Sequence, residues 1–316
     1  MRLRPALLGL LIAASVTACE PARQGPVDLS GRTIRVVATT SMIAELVSEV
    51  GGDRVEVEGL MGPGVDPHLY KASEGDVARM AEADVIFYNG LHLEGKMVEV
   101  FEQMDRLRIP TFALAEAVPT EQLLGSDYFA GNYDPHIWFE PALWQMAALR
   151  AAENLASLDS TGAEIFRENA SRFAAQMADV DRYVRERVAA LPAEARVLVT
   201  SHDAFGYFGR AYGFEVKGLQ GISTAAEAGT GDVQDLGEFV ATRRVPALFI
   251  ESSVSPRGIE AVRSAVRARG FEVQIGGTLY GDALGAPGTE AGTYVGMVRS
   301  NVDTIVNGLL GGGQSQ

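Results

Sequence analysis

The chain of 316 residues holds four histidines. Two of them close the same tripeptide, Asp66-Pro67-His68 in "GVDPHLY" and Asp134-Pro135-His136 in "YDPHIWF". A third, His202, stands in "TSHDAF", and an aspartate, Asp282, stands in "TLYGDALG". Imidazole nitrogen and carboxylate oxygen are donors for zinc and other divalent first-row metals. Three imidazoles and one carboxylate make a closed four-donor set, which suits capture of an ion better than catalysis with a free position for water. Proline fixes its own φ and biases the residue before it towards extended backbone, so each Asp-Pro-His presents its ring from a stiffened loop. Asp66 and Asp134 are candidates to accept a hydrogen bond from a ring N–H, as carboxylates behind metal-bound histidines do. His92, in "NGLHLEGKM", is a reserve candidate, expected to hydrogen-bond near the site rather than bind metal. Glu251, in "FIESS", is a further carboxylate expected behind the ligands.

These groups lie many tens of residues apart, and the chain has neither an HExxH nor a paired-cysteine motif. Only the fold can bring them together. Short apolar, β-branched runs at 33–40, 55–61, 84–90, 109–115, 196–201, 214–219, 247–252 and 271–277 read as strands covered on both faces. Helical patterns alternate with them, in "SMIAELVSEVGG", "EGDVARMAEA" and "EGKMVEVFEQM" in the first half. In the second half they are "AFGYFGRAYG", "DVQDLGEFVATRR", "PRGIEAVRSAVRARG" and "EAGTYVGMVRSNVDTIVNGLL". Such alternation predicts an α/β chain with two lobes, each a mostly parallel sheet flanked by helices. Ligands of open parallel sheets bind beyond the C-terminal strand ends. His68, His136, His202 and Asp282 all follow strands, two in each half.

Between the halves, Phe166, Ala170, Phe173, Met177, Val180, Val184, Val188 and Leu191 recur at steps of three and four. This predicts one long, rigid connecting helix over 161–191, on the order of 45 Å in length. Thr161 and Glu164 have the spacing of a capping box, and Pro192 ends the run. The lobes then span 32–160 and 192–316.

The N-terminus joins a short basic stretch, "MRLRP", to eleven apolar residues, Ala6 to Val16. The run is too short to span a bilayer and fits a secretory signal over 1–18. It ends at Val16-Thr17-Ala18-Cys19, and Cys19 is the only cysteine in the chain. The stretch resembles a bacterial lipobox, which implies lipidation at Cys19 and a tether over 19–31. A single cysteine excludes intrachain disulfides and thiolate metal clusters. The net charge of −14 argues against nucleic acid as a partner and is compatible with a cationic ligand.

Seven segments in order, "GVDPHLY", "NGLHLEGKM", "DPHIWFEP", "TSHDAFGYF", "GISTAAEAG", "FIESSVSPR" and "TLYGDALG", resemble the metal-binding solute-binding lipoproteins of bacterial zinc and manganese ABC importers. The resemblance runs from about residue 33 to 310. It implies metal, Zn²⁺ or Mn²⁺, held between two lobes by His68, His136, His202 and Asp282. It further implies delivery to a membrane permease driven by a cytoplasmic ATPase, by a monomer at the periplasm or cell surface. Manganese-dedicated relatives typically carry Glu where this chain has His202, and zinc-dedicated ones often carry a His-rich loop that 116–135 lacks, so both metals stay open. An exported zinc hydrolase with Glu251 as general base is the alternative, and an adhesin lipoprotein a third reading.

Overall fold

The structure, a computed structural model, describes residues 28–125 and 132–311. The signal segment, Cys19 and most of the tether lie outside the described residues. All eight predicted strands are present: β1 (Ile34–Ala38), β2 (Val55–Gly59), β3 (Val85–Tyr88), β4 (Thr111–Ala113), β5 (Val197–His202), β6 (Glu215–Gln220), β7 (Ala247–Glu251) and β8 (Gln274–Leu279). The first four form one sheet in the order β2-β1-β3-β4, every pairing parallel. In the second half β5 pairs with β6 and β7 with β8, again parallel, and β5 packs beside β7. The second lobe thus carries two strand ladders side by side instead of one hydrogen-bonded sheet.

Coverage on both faces holds for the inner strands and fails for the edges. β1, β3, β5 and β7 are almost wholly buried, whereas β2 exposes Glu56 and Glu58. The Val-Glu alternation of β2 is the pattern of a half-covered edge strand, where charge also discourages pairing with another chain.

The helices that cover the sheets are α1 (Ser41–Gly51), α2 (Glu74–Glu82), α3 (Val98–Arg106), α4 (Pro141–Leu158), α5 (Ala163–Val188), α6 (Gly206–Tyr212), α7 (Thr230–Arg243), α8 (Arg257–Ala268) and α9 (Tyr294–Leu309). α4 has no counterpart among the sequence-based expectations. Its buried residues include Leu143, Trp144, Ala147, Ala148, Ala151, Ala152 and Leu155, which recur at helical spacing along one face but are mostly alanine, so the face stands out little by hydrophobicity.

The long helix is α5, with 26 residues and a length of about 39 Å. Its apolar stripe is buried along its whole length, from Phe166 to Val188, with Leu191 just beyond. The expected capping box does not form. Asp159 Oδ1 instead accepts from the backbone N–H groups of Thr161 (3.1 Å) and Gly162 (3.0 Å) and from the Thr161 hydroxyl (2.7 Å). Arg54 pairs with the other oxygen of Asp159 and so ties this corner to the first lobe. A buried aspartate that collects several donors outcompetes an exposed glutamate for the helix start.

The core has three parts. A central cluster takes residues from both lobes, among them Val36, Phe87, Trp138, Phe205, Phe249 and Tyr294. Two outer clusters lie within one lobe each, around Met61, Met80 and Met104 in the first and Leu236, Val262 and Val266 in the second. A shared apolar interior of this kind makes wide swinging of the lobes costly.

Phe173→Ala should lower stability by about 3–5 kcal/mol, since it opens a cavity where α5 meets Tyr294. Arg167→Ala on the exposed face of α5 should change it by less than about 0.5 kcal/mol. Denaturant unfolding of the metal-free protein checks both, and equal effects would remove α5 from the structural centre.

Candidate metal centre

His202 is the last residue of β5, and Glu251 is the last residue of β7. Asp282 follows β8 by three residues, and His68 follows β2 through the turn 60–67. His136 stands at the end of the long connection from β4, immediately before a 3₁₀ turn, Ile137–Phe139. Parallel strands point all these ends one way, so groups distant in sequence meet at one edge.

They meet closely. One donor atom from each of His68, His136, His202 and Asp282 lies within 4.8 Å of every other. His68 Nε2 is 3.3 Å from His136 Nε2. Asp282 Oδ1 is 3.3 Å from His136 Nε2, and Oδ2 is 3.2 Å from His202 Nε2 and 3.8 Å from His68 Nε2. A tetrahedral ion with bonds of about 2.0–2.1 Å separates its donors by about 3.3–3.4 Å. The three rings stand edge to face around this point, with centroids 5.3–5.8 Å apart. All four side chains are buried.

The electrostatics are those of a site built for a cation. Both oxygens of Asp282 are buried and have no hydrogen-bond partner. A buried carboxylate left in that condition is costly unless a positive charge meets it. Without metal, protons fill that role. Burial opposes the charge on Asp282, but His202, His136 and His68 outweigh it and hold the carboxyl well below the usual carboxylate range. Burial likewise opposes the charge on His136, yet Asp134 and Asp282 push its pKa up to about 9. His202 is raised well above its ordinary value, against burial, by Glu251 and Asp282. His68 goes the other way: burial, helped by the two neighbouring imidazoles, lowers it to about 3.

The carboxylates expected behind the ligands divide three ways. Asp134 Oδ1 accepts from His136 Nδ1 at 2.7 Å and from its backbone N–H at 2.9 Å, which turns Nε2 towards the centre. Glu251 Oε1 accepts from the His202 backbone N–H at 2.9 Å, and its Oε2 stands 2.9 Å from His202 Nδ1. Asp66 does not reach its ring. It accepts from the His68 backbone N–H at 2.9 Å, and its second oxygen accepts from Thr224 in the opposite lobe at 2.6 Å. The two identical tripeptides therefore do different work, because only the Asp134 side chain lies beside its own imidazole.

His92 stays outside the group. It is exposed, sits at a left-handed backbone position (φ 64°), and lines a separate cavity of about 380 Å³ with Tyr88, Phe101, Glu102 and Tyr133. The useful residue of "NGLHLEGKM" is its glutamate. Buried Glu94 accepts from the Thr39 hydroxyl (2.7 Å) and from the backbone N–H groups of Asn89 (2.8 Å) and Gly90 (3.1 Å). Asn89 in turn donates to the Pro135 carbonyl at 3.1 Å and so fixes the peptide that carries His136. Gly281 is a second unforeseen element: a Cβ there would collide with Glu251 Oε2. Its carbonyl accepts from Trp138 Nε1 at 3.0 Å, which ties the Asp282 segment to the His136 segment. The glycine directly before Asp282 was the available signal.

A family model described as ZnuA, zinc-uptake complex component A, periplasmic, matches residues 36–308. The chain belongs to that family. The zinc-binding protein TroA of Treponema pallidum (strain Nichols) is 51% identical over 274 residues, 87% of this chain and 88% of TroA. The manganese-binding lipoprotein MntA of Bacillus subtilis (strain 168) is 45% identical over 276 residues, 87% of this chain and 90% of MntA. The solved structure of the periplasmic zinc-binding TroA matches with a TM-score of 0.85 at 50% identity, over 88% of this chain and 99% of that one. The ZnuA family fold thus accounts for the two lobes and the long helix between them.

Two outcomes follow from this geometry. A metal at this centre competes with protons, because the pKa of His136 is pushed up to about 9 and that of His202 is raised by Glu251 and Asp282 when metal is absent. Zinc binding at neutral pH should release protons, measured by calorimetry in buffers of differing ionisation enthalpy, and affinity should decline as the pH is lowered from about 8 to 5. Affinity independent of pH would contradict the arrangement. Gly281→Ala should displace Glu251 and weaken zinc binding by roughly tenfold or more, the usual cost of disturbing a group behind a ligand. A chelator competition titration reads this directly.

Proposed function

We propose that this chain is the extracytoplasmic substrate-binding subunit of an ABC importer that captures zinc or manganese between its two lobes. The observation that carries this reading is the buried convergence of His68, His136, His202 and Asp282, with both Asp282 oxygens unpartnered. Membership of the ZnuA family and similarity to zinc-binding TroA and manganese-binding MntA support it. The ion is cargo. It passes from this subunit to a membrane permease whose partner ATPase drives uptake.

Four ligands enclose the ion and leave Glu251 bound to His202, so the carboxylate that a hydrolase would use as a base already serves to orient a ligand. Solute binding, not catalysis, is the family's activity. A donor set of three imidazoles and one carboxylate favours zinc over manganese in affinity, as the Irving–Williams order also requires. The lobes divide at the long helix, 32–160 before it and 192 onward after it. Lipidation at Cys19 would hold the protein, as a monomer, at the outer face of a membrane with 19–31 as its tether. Among the described residues no helix is long and apolar enough to cross a membrane.

Purified protein loaded with zinc should hold one ion per chain. His136→Ala should lose at least about a hundredfold in affinity, because it removes a ligand and takes from the buried Asp134 and Asp282 the imidazole that faces both. A strain lacking the gene should fail to grow on limiting zinc or manganese and recover on supplementation. Unchanged metal binding by His136→Ala would overturn the reading.

A further inference from the structure

The four candidate ligands are not equally anchored. The residues after His136 (Ile137, Trp138 and Phe139), those after His202 (Ala204 and Phe205), and Leu279 and Leu284 around Asp282 all belong to the central core shared by both lobes. A hydrogen bond from Trp138 to Gly281 joins the His136 and Asp282 segments, Tyr294 donates to the Trp138 carbonyl (2.6 Å), and Phe205 after His202 stacks on Phe139 with ring centroids 4.2 Å apart. His68 is placed differently. Its flanking residues Met61, Val65 and Tyr70 pack in the outer cluster, which takes residues from the first lobe alone. Asp66 spends its hydrogen bond on the His68 backbone and not on the ring, so no carboxylate steadies that imidazole from behind.

Away from the ligand atoms themselves, the His68 loop meets the second lobe at Gly64 and at Asp66. Gly64 (φ 74°) lies close against the backbone after β7, where a Cβ would stand 3.3 Å from the Ser252 carbonyl oxygen. The other contact is directional: the buried Thr224 hydroxyl donates to Asp66 Oδ2 at 2.6 Å. Thr224 lies four residues past the end of β6, in the "GISTAAEAG" segment, which has no other part in the site. The Asp66 carboxylate is therefore a two-ended strut, with one oxygen on the His68 backbone and the other on the opposite lobe.

We propose that the Thr224 hydroxyl is the latch of the metal site: by holding Asp66 it keeps the His68 loop closed against the second lobe and sets how slowly the ion leaves. Thr224 is a positioning residue, since it acts on His68 through Asp66 and touches no ligand atom. The latch governs departure more than arrival. The other three ligands stand assembled by the shared core, so an entering ion meets them whether or not the His68 loop is closed. Removal of the hydroxyl frees that loop to lift, and the ion then leaves from a three-ligand site. This inference rests on the reading of His68 as a ligand.

Zinc-loaded protein mixed with excess chromophoric chelator in a stopped-flow instrument gives the dissociation rate. Thr224→Val keeps the shape and removes the donor. It should raise that rate by roughly tenfold or more, as loss of a hydrogen bond to a charged acceptor implies. Its association rate should stay within about twofold of the parent, its stoichiometry at one, and its metal-free melting temperature unchanged. Thr224→Ser keeps the donor and should restore slow release. Should Thr224→Val not fold, Thr224→Ala removes the same hydroxyl. Release at the parent rate without the hydroxyl overturns the latch, and so does equal acceleration by Thr224→Ser. His68→Ala separates the two claims: parental zinc affinity in that variant refutes the ligand assignment itself, whatever Thr224 does.

Discussion

The arrangement depends on one buried charge. Asp282 lies at the centre of the interior with neither oxygen hydrogen-bonded, and three imidazole nitrogens face it at 3.2–3.8 Å. Such a carboxylate cannot be buried alone, and burial of three imidazoles beside it makes sense only if positive charge is shared among them. Protons can supply that charge and a divalent ion can replace them. The exchange of the one for the other is the chemistry of the site.

Everything around the centre limits how that exchange takes place. Asp134 and Glu251 each support one imidazole, Glu94 and Asn89 fix the loop behind His136, and the absent Cβ of Gly281 lets Glu251 approach His202. The long helix and the central core bind both lobes into one body, so the ligands carried by that core are set before any ion arrives. Preorganisation of this kind reduces the cost of binding. It leaves the His68 loop, packed in its own lobe, as the part of the site free to respond.

Much of this was legible in the sequence, for reasons that differ between residues. The inner strands were readable because parallel strands covered on both faces are near-continuous apolar runs, an edge strand such as β2 by its alternating valines, and the long helix because its stripe is narrow and regular. The four ligand candidates could be placed at one edge because each follows a strand, a local fact. What escaped was non-local or low in contrast. α4 buries one face at helical spacing, but that face is largely alanine and so contrasts weakly with the rest of the helix. Thr161 and Glu164 have the spacing of a cap, yet Asp159, held by Arg54 from far away in the chain, takes the role. Asp66 and Asp134 share a tripeptide but not a partner, since Thr224 comes from a segment more than a hundred residues distant. His92 has the right neighbours in sequence and the wrong side of the loop.

The central claim is that three imidazoles and one carboxylate from two lobes close on a single ion. X-ray absorption at the zinc edge of the loaded protein tests it most directly. The account predicts a shell of three imidazole nitrogens and one carboxylate oxygen at about 2.0–2.1 Å, with no water-dominated component. A shell with fewer than three imidazoles, or one built mainly of water oxygens, would contradict it.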